Sequence, residues 1–440
     1  MKTSRMAVYR DKIEGSTLFG YIGKVTRVVG LIIEVKGIYA SIGDICSIEI
    51  AGRSSKLPAE VVGFKDDSSM LMPLGDLKGI SPGCRVFSMG KTFRITVGEE
   101  LLGKVLNGLG EFLEAENSPF SGCSYSIQNE PPGPLRRKPI GDILETGVKS
   151  IDGLLTCGIG QRMGIFAGSG VGKSTLLGMI ARNSSADVNV IGLIGERGRE
   201  VLEFIKEDLG PEGLARSVVV VSTSDQPALI RVKAALIATS IAEYFRDQGK
   251  NVLLMMDSIT RFAMAQREIG LAVGEPPTTK GYTPSVFALL PKLLERAGNL
   301  DKGSITGLYT ILVEGDDMNE PIADAARGIL DGHIVLSRKI ATQNHFPAID
   351  ILESISRLMP SITDPHHQQM ASALRNHLAV FDKNRDLINI GAYESGFNPE
   401  IDAAIEINPV INQFLRQDIS EVFTFEETLH ALTGVVGTGV

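Results

Sequence analysis

The chain has 440 residues, of which 43% are hydrophobic and 22% charged. This balance is typical of globular proteins and excludes a wholly disordered chain, and the length predicts about three domains. The formal net charge of -8 argues against a main activity that depends on non-specific binding to DNA phosphates.

Residues 1–100 contain short β-rich runs, such as GKVTRVVG and LIIEVKG, separated by Gly, Asp and Ser at a spacing of roughly ten residues. This pattern predicts a small antiparallel barrel or sandwich after a short leader. The four cysteines lie far apart and form no CxxC pair, which is typical of a reduced cytosolic protein. The sequence has no apolar signal-peptide core at its start and no apolar run of about 18 residues, so we expect neither secretion nor a membrane span.

Residues 101–364, which include a Pro-rich linker near 129–139, alternate strand and helix patterns. The apolar strand segments lack strict alternation, which favours a largely parallel sheet covered on both faces, hence an α/β domain. The predicted strands are 163–167, 188–194, 217–222, 252–257, 306–313 and 334–337, and the predicted helices are 173–183, 227–247 and 285–296.

Residues 365–440 lack strand patterns and predict a C-terminal helical domain, with helices over 366–381, 399–415 and 425–432. His366 and His367 lie next to each other in the first of these helices. Adjacent helical residues point in different directions, and no third ligand lies at metal spacing, so we interpret both as surface histidines.

The segment AGSGVGKST at 167–175 follows a predicted strand and opens a predicted helix. It matches the phosphate-loop pattern G-x-x-x-x-G-K-[ST], with Ala167 as a variant of the first glycine. The glycines allow a tight loop whose N–H groups face phosphate oxygens, at a helix N-terminus that favours anions. In this pattern the Lys173 ammonium reaches the β- and γ-phosphates and the Ser174 hydroxyl ligates Mg²⁺. The predicted nucleotide-binding residues of the loop are Gly168, Ser169, Gly170, Val171, Gly172, Lys173, Ser174 and Thr175.

Further polar residues stand where strands end. Asp257 closes the apolar run VLLMMD and is a candidate to hold Mg²⁺ through its water shell. Glu196 in GERGRE follows a strand, where it could orient an attacking water, although a solvated charged turn is the commoner explanation on spacing alone. Arg357 could stabilise a transferring phosphoryl group in a neighbouring subunit, or form a surface ion pair. Phe346 and Phe423 could stack on an adenine, although lone phenylalanines more often pack in a core.

Several segments occur in one order along the chain: AGSGVGKST, GERGRE, LLMMDSITRFAMAQREIG, EGDDMNEPIADAARGILDGHIVLSRK and PAIDILESISRL. Together they resemble the bacterial flagellar and type III secretion ATPases, which are relatives of the F-type ATP synthase subunits. The resemblance covers nearly the whole chain and is strongest from about 145 to 360.

The resemblance implies a RecA-like P-loop ATPase core, an N-terminal antiparallel β-barrel, a C-terminal helical domain and a hexameric ring with nucleotide at the subunit interfaces. It implies that Glu196 is the catalytic glutamate, Arg197 the arginine beside it and Arg357 the arginine finger that enters the adjacent site. Asp257 then matches the Walker-B aspartate. Phe346 falls at an adenine-stacking position, and Phe423 near a second one in a shorter segment.

The implied activity is Mg²⁺-dependent ATP hydrolysis that energises export of flagellar proteins. Because one chain carries both Glu196 and Arg357, we expect a homo-oligomer, most simply a homohexamer, whose activity rises on assembly. The implied partners are a coiled-coil stalk protein, a regulator, chaperones with their substrates and the export gate. The implied location is cytoplasmic, peripheral to the inner face of the cell membrane at the flagellar base.

Three alternatives remain at this point. The first is an injectisome secretion ATPase, although Asn319 in GDDMNEPIAD resembles the flagellar branch more. The second is the catalytic subunit of a rotary proton-pump ATPase, disfavoured because the acidic DELSEED-type segment is absent. The third is a Rho-like RNA-translocating ring, disfavoured because the barrel segment has few aromatics and no basic cluster; we expect no nucleic-acid partner.

Overall fold

The structure is a computed structural model that describes residues 21–52, 55–114, 121–313, 315 and 317–437. The leader expected before the barrel lies outside the described residues. The chain divides into two compact units, Met1–Arg94 with Glu268–Pro276 and Ile95–Arg267 with Pro277–Val440. The predicted domain bounds of 1–100, 101–364 and 365–440 stay a prediction.

Six strands of the first unit close into an antiparallel barrel in the order β1-β2-β5-β4-β3-β6. Inward-facing apolar side chains such as Val35, Ile48 and Leu71 are fully buried and form a separate core. The predicted antiparallel β-rich region is therefore confirmed, in its barrel form. The strands are β1 Ile22–Val29, β2 Ile32–Lys36, β3 Asp44–Ile48, β4 Leu57–Lys65, β5 Ser68–Pro73 and β6 Arg85–Thr92.

The second unit is built on a nine-stranded sheet, which runs in the order β19-β18-β12-β17-β15-β13-β14-β8, with β16 paired to β17. All neighbours along the row are parallel except β19, which runs antiparallel to β18. All seven residues of β13, VNVIGLI, are buried, as a parallel sheet covered on both faces requires. The strands are β8 Val105–Asn107, β12 Arg162–Ala167, β13 Val188–Ile194, β14 Ser217–Ser222, β15 Asn251–Asp257, β16 Gly298–Asn299, β17 Ser304–Leu312, β18 Gly332–Leu336 and β19 Ile349–Ser356.

Smaller elements complete the strand set of this unit. Two short sheets pair β7 with β9 and β10 with β11. Their bounds are β7 Arg94–Val97, β9 Cys123–Ser126, β10 Ile143–Leu144 and β11 Cys157–Gly158.

Helices connect the parallel strands and cover the sheet. The longest of these helices is α5, Ala228–Asp247, most of whose residues are buried, and it packs against β13, β14 and β15. In chain order, the helices before the C-terminal part are α1 Lys149–Leu154, α2 Lys173–Asn183, α3 Gly198–Glu203, a π-helical turn Phe204–Leu209, α4 Gly210–Ala215, α5 Ala228–Asp247, α6 Ile259–Val273, α7 Pro284–Leu294, α8 Pro321–Ile329, α9 Arg338–Ala341 and α10 Met359–Ile362.

Three longer helices form the C-terminal part: α11 Pro365–Asn389, α12 Pro399–Leu415 and α13 Phe425–Gly437. The Asp364 side chain caps α11 by accepting the N–H groups of His366 and His367, and Pro365 at the first position suits a helix start. The predicted helical region is thus confirmed. α11 continues eight residues beyond its predicted end at 381.

Two sequence interpretations are wrong. His367 is only 2% exposed, and its Nε2 lies 2.7 Å from the Gly153 carbonyl, so it is a core residue rather than a surface one. The other error is an omission: β19 was not predicted. Its sequence, IDILESIS, mixes charged and apolar residues because it lies at the edge of the sheet, with one side open to solvent.

Candidate nucleotide-binding site

The sheet brings the predicted site residues together at one edge. Parallel strands β12, β15 and β13 all end there, and β17 lies between β12 and β15. The phosphate loop follows β12, Asp257 ends β15, and Glu196 follows β13 by two residues. The carboxyl ends of parallel strands in open α/β sheets line the ligand crevice, so this edge is the expected position for a site.

The loop between β12 and α2 has the conformation that phosphate binding requires. Gly170 and Gly172 adopt φ of +77° and +85°, in the left-handed region that glycine enters at no steric cost. Gly172 is also the N-cap of α2. Ser169 and Gly170 are exposed, whereas the Val171 side chain is buried and anchors the loop. The loop therefore presents backbone to solvent at a helix N-terminus, where anions bind.

Lys173 lies between two carboxylates. Its ammonium donates a short hydrogen bond to Oδ1 of Asp257 and lies 3.6 Å from Oε1 of Glu196. Burial alone would lower the pKa of Lys173, but the two carboxylates outweigh it and raise that pKa. The three side chains are 5–13% exposed, so the charges interact in a poorly hydrated environment.

Asp257 is held by a second partner. The Thr310 hydroxyl on β17 donates a 2.6 Å hydrogen bond to the same Oδ1 atom that receives Lys173. Thr310 is fully buried, so this bond has no competition from water. Thr310 fixes the orientation of the carboxylate and leaves Oδ2 as its other acceptor.

Glu196 has a strongly perturbed acidity. Burial, followed by the nearby negative charge of Asp257, raises the pKa of Glu196 from 4.5 to about 7, against the opposing effect of Lys173. The Glu200 carboxylate on the first turn of α3 accepts a hydrogen bond from the Glu196 side chain, which lowers the pKa of Glu200. Arg197 is exposed and pairs with Glu200 at 3.1 Å, rather than pointing into the Lys173 cluster.

The donor set of this edge fits a magnesium ion. Glu196 and Asp257 bring carboxyl oxygens together around the Lys173 ammonium. Carboxylate and hydroxyl oxygens are the ligands that Mg²⁺ prefers. Ser174, at the start of α2, and Asp257 are the residues that would hold it, the latter through water.

Phe346 lies at the same edge, although the chain reaches it from the distant β18–β19 connection. A Cβ on Gly172 would lie 3.4 Å from the Phe346 ring, so the ring borders the phosphate loop. The ring is 41% exposed, which is unusual for a large apolar side chain and leaves a face open for stacking. Its backbone is tied to the C-terminal helices, since the Gln417 N–H donates to the Phe346 carbonyl at 3.0 Å.

Phe423 has a different neighbour. The Lys149 ammonium lies 4.4 Å from the centre of its ring, a cation–π contact. The Lys149 N–H donates to the Gln417 side chain, which places this pair on the same C-terminal segment that supports Phe346. The structure therefore pairs Phe423 with Lys149, and stacking of Phe423 on a base stays a prediction.

Arg357 lies at the opposite edge of the sheet. It follows β19 directly, and β19 runs antiparallel to β18, so Ser356 pairs with Gly332 at the start of β18. Gly332 in turn pairs with Met163 at the start of β12. With a rise of about 3.3 Å per residue, the length of β12 puts Arg357 about 15 Å from the phosphate loop of its own chain. Its exposed guanidinium donates to the Arg327 carbonyl at 3.2 Å.

Two residues of this site were missed by the sequence interpretation. Thr310 gave no signal, because a threonine inside a buried strand is ordinary and its partner is 53 positions away. Glu200 stood within GERGRE, four positions after Glu196, and its acidic side chain in the first turn of α3 was the signal that could have singled it out.

Comparison with known proteins identifies the family. Residues 147–356 match the nucleotide-binding domain of the ATP synthase alpha/beta family, residues 25–90 match its beta-barrel domain, and residues 363–434 match the T3SS EscN ATPase C-terminal domain. A "Flagellum-specific ATP synthase" of Bacillus subtilis is 56% identical over 438 residues, which cover 99% of each chain. The chain belongs to this family of flagellar and type III secretion ATPases.

Solved structures of a family member agree. The assembled ATPase EscN from the type III secretion system of enteropathogenic E. coli has a TM-score of 0.89 at 49% identity, covering 94% of this chain and 100% of EscN. EscN in complex with its central stalk EscO has a TM-score of 0.87 at 48% identity, again covering 94% of this chain and 100% of EscN. The expected RecA-like core, N-terminal barrel and C-terminal helical domain are confirmed, and the protein is an ATP-hydrolysing enzyme.

Proposed function

We propose that this chain forms a homohexameric ring whose ATP hydrolysis energises export of flagellar proteins through a type III secretion apparatus. The observation that carries the ring is the placement of two half-sites at opposite edges of one sheet. Lys173, Glu196 and Asp257 form one half, and Arg357 belongs to the other. They cannot meet within a chain, so a complete site requires two copies.

In the proposed reaction, ATP and water give ADP and phosphate. The loop from Gly168 to Thr175 binds the phosphates through backbone N–H groups, and Lys173 turns its ammonium from Asp257 toward the β- and γ-phosphates. Glu196 accepts a hydrogen bond from the attacking water and orients it. Bound Mg²⁺, held by Ser174 and by Asp257 through water, supplies charge neutralisation on the phosphates. Catalysis of this kind is mostly positioning and electrostatic stabilisation.

The neighbouring copy contributes Arg357, whose guanidinium stabilises the negative charge that develops on the transferring phosphoryl group. The Arg357 side chain is exposed and donates a hydrogen bond to the neutral Arg327 carbonyl, which leaves the guanidinium available for this role. Arg197 is proposed to support the site through Glu200 rather than to contact the nucleotide. Phe346 is proposed to stack on the adenine ring of ATP. Phe423, which contacts Lys149, is proposed to border the adenine site from the C-terminal segment.

The flagellar branch is the proposed one for two reasons. The Bacillus subtilis relative is a flagellum-specific protein and is more similar to this chain than EscN is. Asn319 agrees with that branch. An injectisome secretion ATPase stays the second candidate function, because EscN, from a type III secretion system, is 49% identical to this chain. A barrel that matches the ATP synthase family favours neither a Rho-like ring nor an RNA substrate.

Partners and location follow from this function. EscN is found with its central stalk EscO, and we propose that a stalk protein of the flagellar apparatus occupies the centre of this ring in the same way. A regulator, chaperone–substrate complexes and the export gate are the other proposed partners. Within the described residues, we find no helix that is both long and apolar enough to span a bilayer. We propose a position in the cytoplasm, at the membrane face of the flagellar base.

The test is the ATPase rate per chain as a function of protein concentration, with and without RNA. A rate that rises with concentration as rings form, and that does not respond to RNA, supports the proposal. A rate that is independent of concentration, with full turnover by monomers in sedimentation experiments, contradicts the shared site. RNA stimulation would favour the Rho-like alternative.

A further inference from the structure

The backbone that carries Arg357 is held by one buried side chain, Gln161. This residue lies directly before β12 and is fully buried, which is costly for an amide unless each polar atom is bonded. Its Oε1 accepts the Gly158 N–H at 2.8 Å. Its Nε2 donates to the Ser356 hydroxyl at 3.1 Å and to the Asp331 carbonyl at 3.4 Å.

The amide Nε2 also lies 3.2 Å from the Met163 sulfur, and its two oxygen acceptors both belong to the attachment of Arg357. Ser356 precedes it in the chain, and the Ser356 hydroxyl donates in turn to the Thr156 carbonyl at 2.8 Å. The Asp331 carbonyl accepts the N–H of Arg357 itself at 3.0 Å. The Gln161 amide therefore joins the two groups that fix the main chain at the point where the Arg357 side chain leaves it.

A salt bridge stiffens the same point. Both oxygens of the Asp331 carboxylate bind the Arg162 guanidinium, each at 3.0 Å, and Oδ2 also accepts the Arg162 backbone N–H at 3.0 Å. Arg162 begins β12, the strand that ends at the phosphate loop. The main chain at Arg357 is thus tied to the start of this strand, whereas its guanidinium is exposed and donates a hydrogen bond to the Arg327 carbonyl.

We propose that Gln161 is a positioning residue for catalysis in the adjacent subunit. Gln161 holds Ser356 and Asp331 in place and so sets the direction in which the Arg357 side chain projects. The guanidinium then reaches the phosphoryl group that is transferred from the ATP bound by a neighbouring copy. A displacement of about 1 Å at a catalytic group can cost on the order of a hundredfold in rate, so a loosened base is sufficient to impair the arginine. This inference rests on the trans role proposed for Arg357.

The experiment is a double-mutant cycle on assembled rings, measured as kcat and KM for ATP. Gln161→Met keeps the length of the side chain and removes its hydrogen bonds. We expect kcat to fall roughly tenfold to a hundredfold, with KM changed by less than about threefold, because the nucleotide half-site of the same chain is untouched. In an Arg357→Ala background the same change should cost nothing further, since the residue acts through Arg357.

The matched control is Asn189→Leu. Asn189 is another fully buried amide at the amino-terminal edge of the sheet, where it starts β13 and donates to the Ala181 carbonyl at 2.8 Å. It has no contact with the attachment of Arg357 among the described residues. We expect it to lower the melting temperature without changing kcat. If Gln161→Met chains do not fold, Ser356→Ala tests the same proposal, because it removes one acceptor of the Gln161 amide. We expect a smaller fall in kcat, again with little change in KM.

The outcomes separate the two proposals. Wild-type kcat in Gln161→Met or Ser356→Ala rings overturns the positioning role, and so does an equal loss with and without Arg357. Either result leaves the trans arginine intact if Arg357→Ala is itself inactive. Full activity of Arg357→Ala rings instead overturns the trans arginine, and with it the basis of this inference.

Discussion

The two edges of the central sheet differ in how they hold charge. At the carboxyl edge, Lys173, Glu196 and Asp257 are buried in direct contact, and the acidity of Glu196 is strongly shifted. At the opposite edge, the Arg162 guanidinium donates two hydrogen bonds to the Asp331 carboxylate, and the nearby Arg357 side chain is exposed. The carboxyl edge holds its charged groups in a poorly hydrated cluster, whereas the opposite edge anchors the main chain at Arg357, whose guanidinium is exposed.

This difference indicates what each edge is for. A buried cluster of interacting charged groups with a shifted pKa is the usual setting of a functional site. A fixed main chain with an exposed guanidinium, as at Arg357, suits a side chain that acts on another copy of the protein. The comparison therefore predicts that a substitution at the first edge impairs the site of the same chain, whereas a substitution at the second edge impairs the site of the neighbouring copy.

The largest effect is expected from Arg357→Ala. The rate of assembled rings should fall by a factor on the order of 10³ or more, as for other arginine fingers, whereas nucleotide binding is retained. Mixing these chains with Lys173→Ala chains should restore part of the activity, because one type of interface then combines an intact loop with an intact arginine. ATPase assays on mixed rings check this.

The control for Arg357 is Arg385→Ala, which removes a surface arginine paired with Asp382 on α11. We expect it to leave the rate unchanged. Unaltered turnover of homogeneous Arg357→Ala rings, or mixed rings no more active than the two parents, would contradict the division of the site between copies.

The next effect is expected from Glu196→Gln. It removes the group that orients the attacking water, so kcat should fall about 10²–10⁴-fold, in the range of general acid–base groups. ATP should still bind, as fluorescence titration with a nucleotide analogue can measure. Glu203→Gln, at the end of helix α3 that follows Glu196 and paired with the exposed Arg199, is the control and should be active. A catalytically competent Glu196→Gln enzyme would refute the assignment.

A smaller effect is expected from Thr310→Val, which removes the hydroxyl that orients Asp257. A hydrogen bond to a charged group is worth about 1.5–3 kcal/mol, so kcat/KM should fall at least about tenfold, with a higher Mg²⁺ requirement. Thr239→Val removes a buried hydroxyl that bonds only within α5, and it should affect stability alone. Equal activity of the two variants would show that Thr310 has no part in the site.

The smallest effect is a pH dependence of stability in the nucleotide-free protein. Because burial raises the pKa of Glu196 from 4.5 to about 7, the folded chain binds a proton that the unfolded chain has already lost in this range. The contribution of Glu196 is therefore fully present below pH 4.5 and is lost as the pH rises through 7. Urea unfolding should show Glu196→Gln gaining stability relative to the wild type between pH 4.5 and 7, and a difference that is constant with pH would contradict the shift.

Much of the fold could be predicted from local patterns. β13, β14, α2 and α12 begin and end at the predicted residues, because continuous apolar runs and a clear loop at 167–175 leave few alternatives. The features that the sequence did not predict are those whose structure depends on contacts with residues distant in the sequence. β19 mixes polar and apolar residues at an open edge, and the burial of His367 depends on the Gly153 carbonyl of a helix more than 200 positions earlier.

The sequence by itself determined the phosphate loop, the acidic residues that end or follow buried strands, and through its motifs the family. These are local features, since loop chemistry and strand ends are set by consecutive residues. Only the tertiary structure decided that β19 reverses direction, so that Phe346 borders the phosphate loop while Arg357, eleven positions later, lies at the far edge. Strand direction depends on which partner a strand finds across the sheet, and that long-range pairing places Arg357 far from the phosphate loop of its own chain.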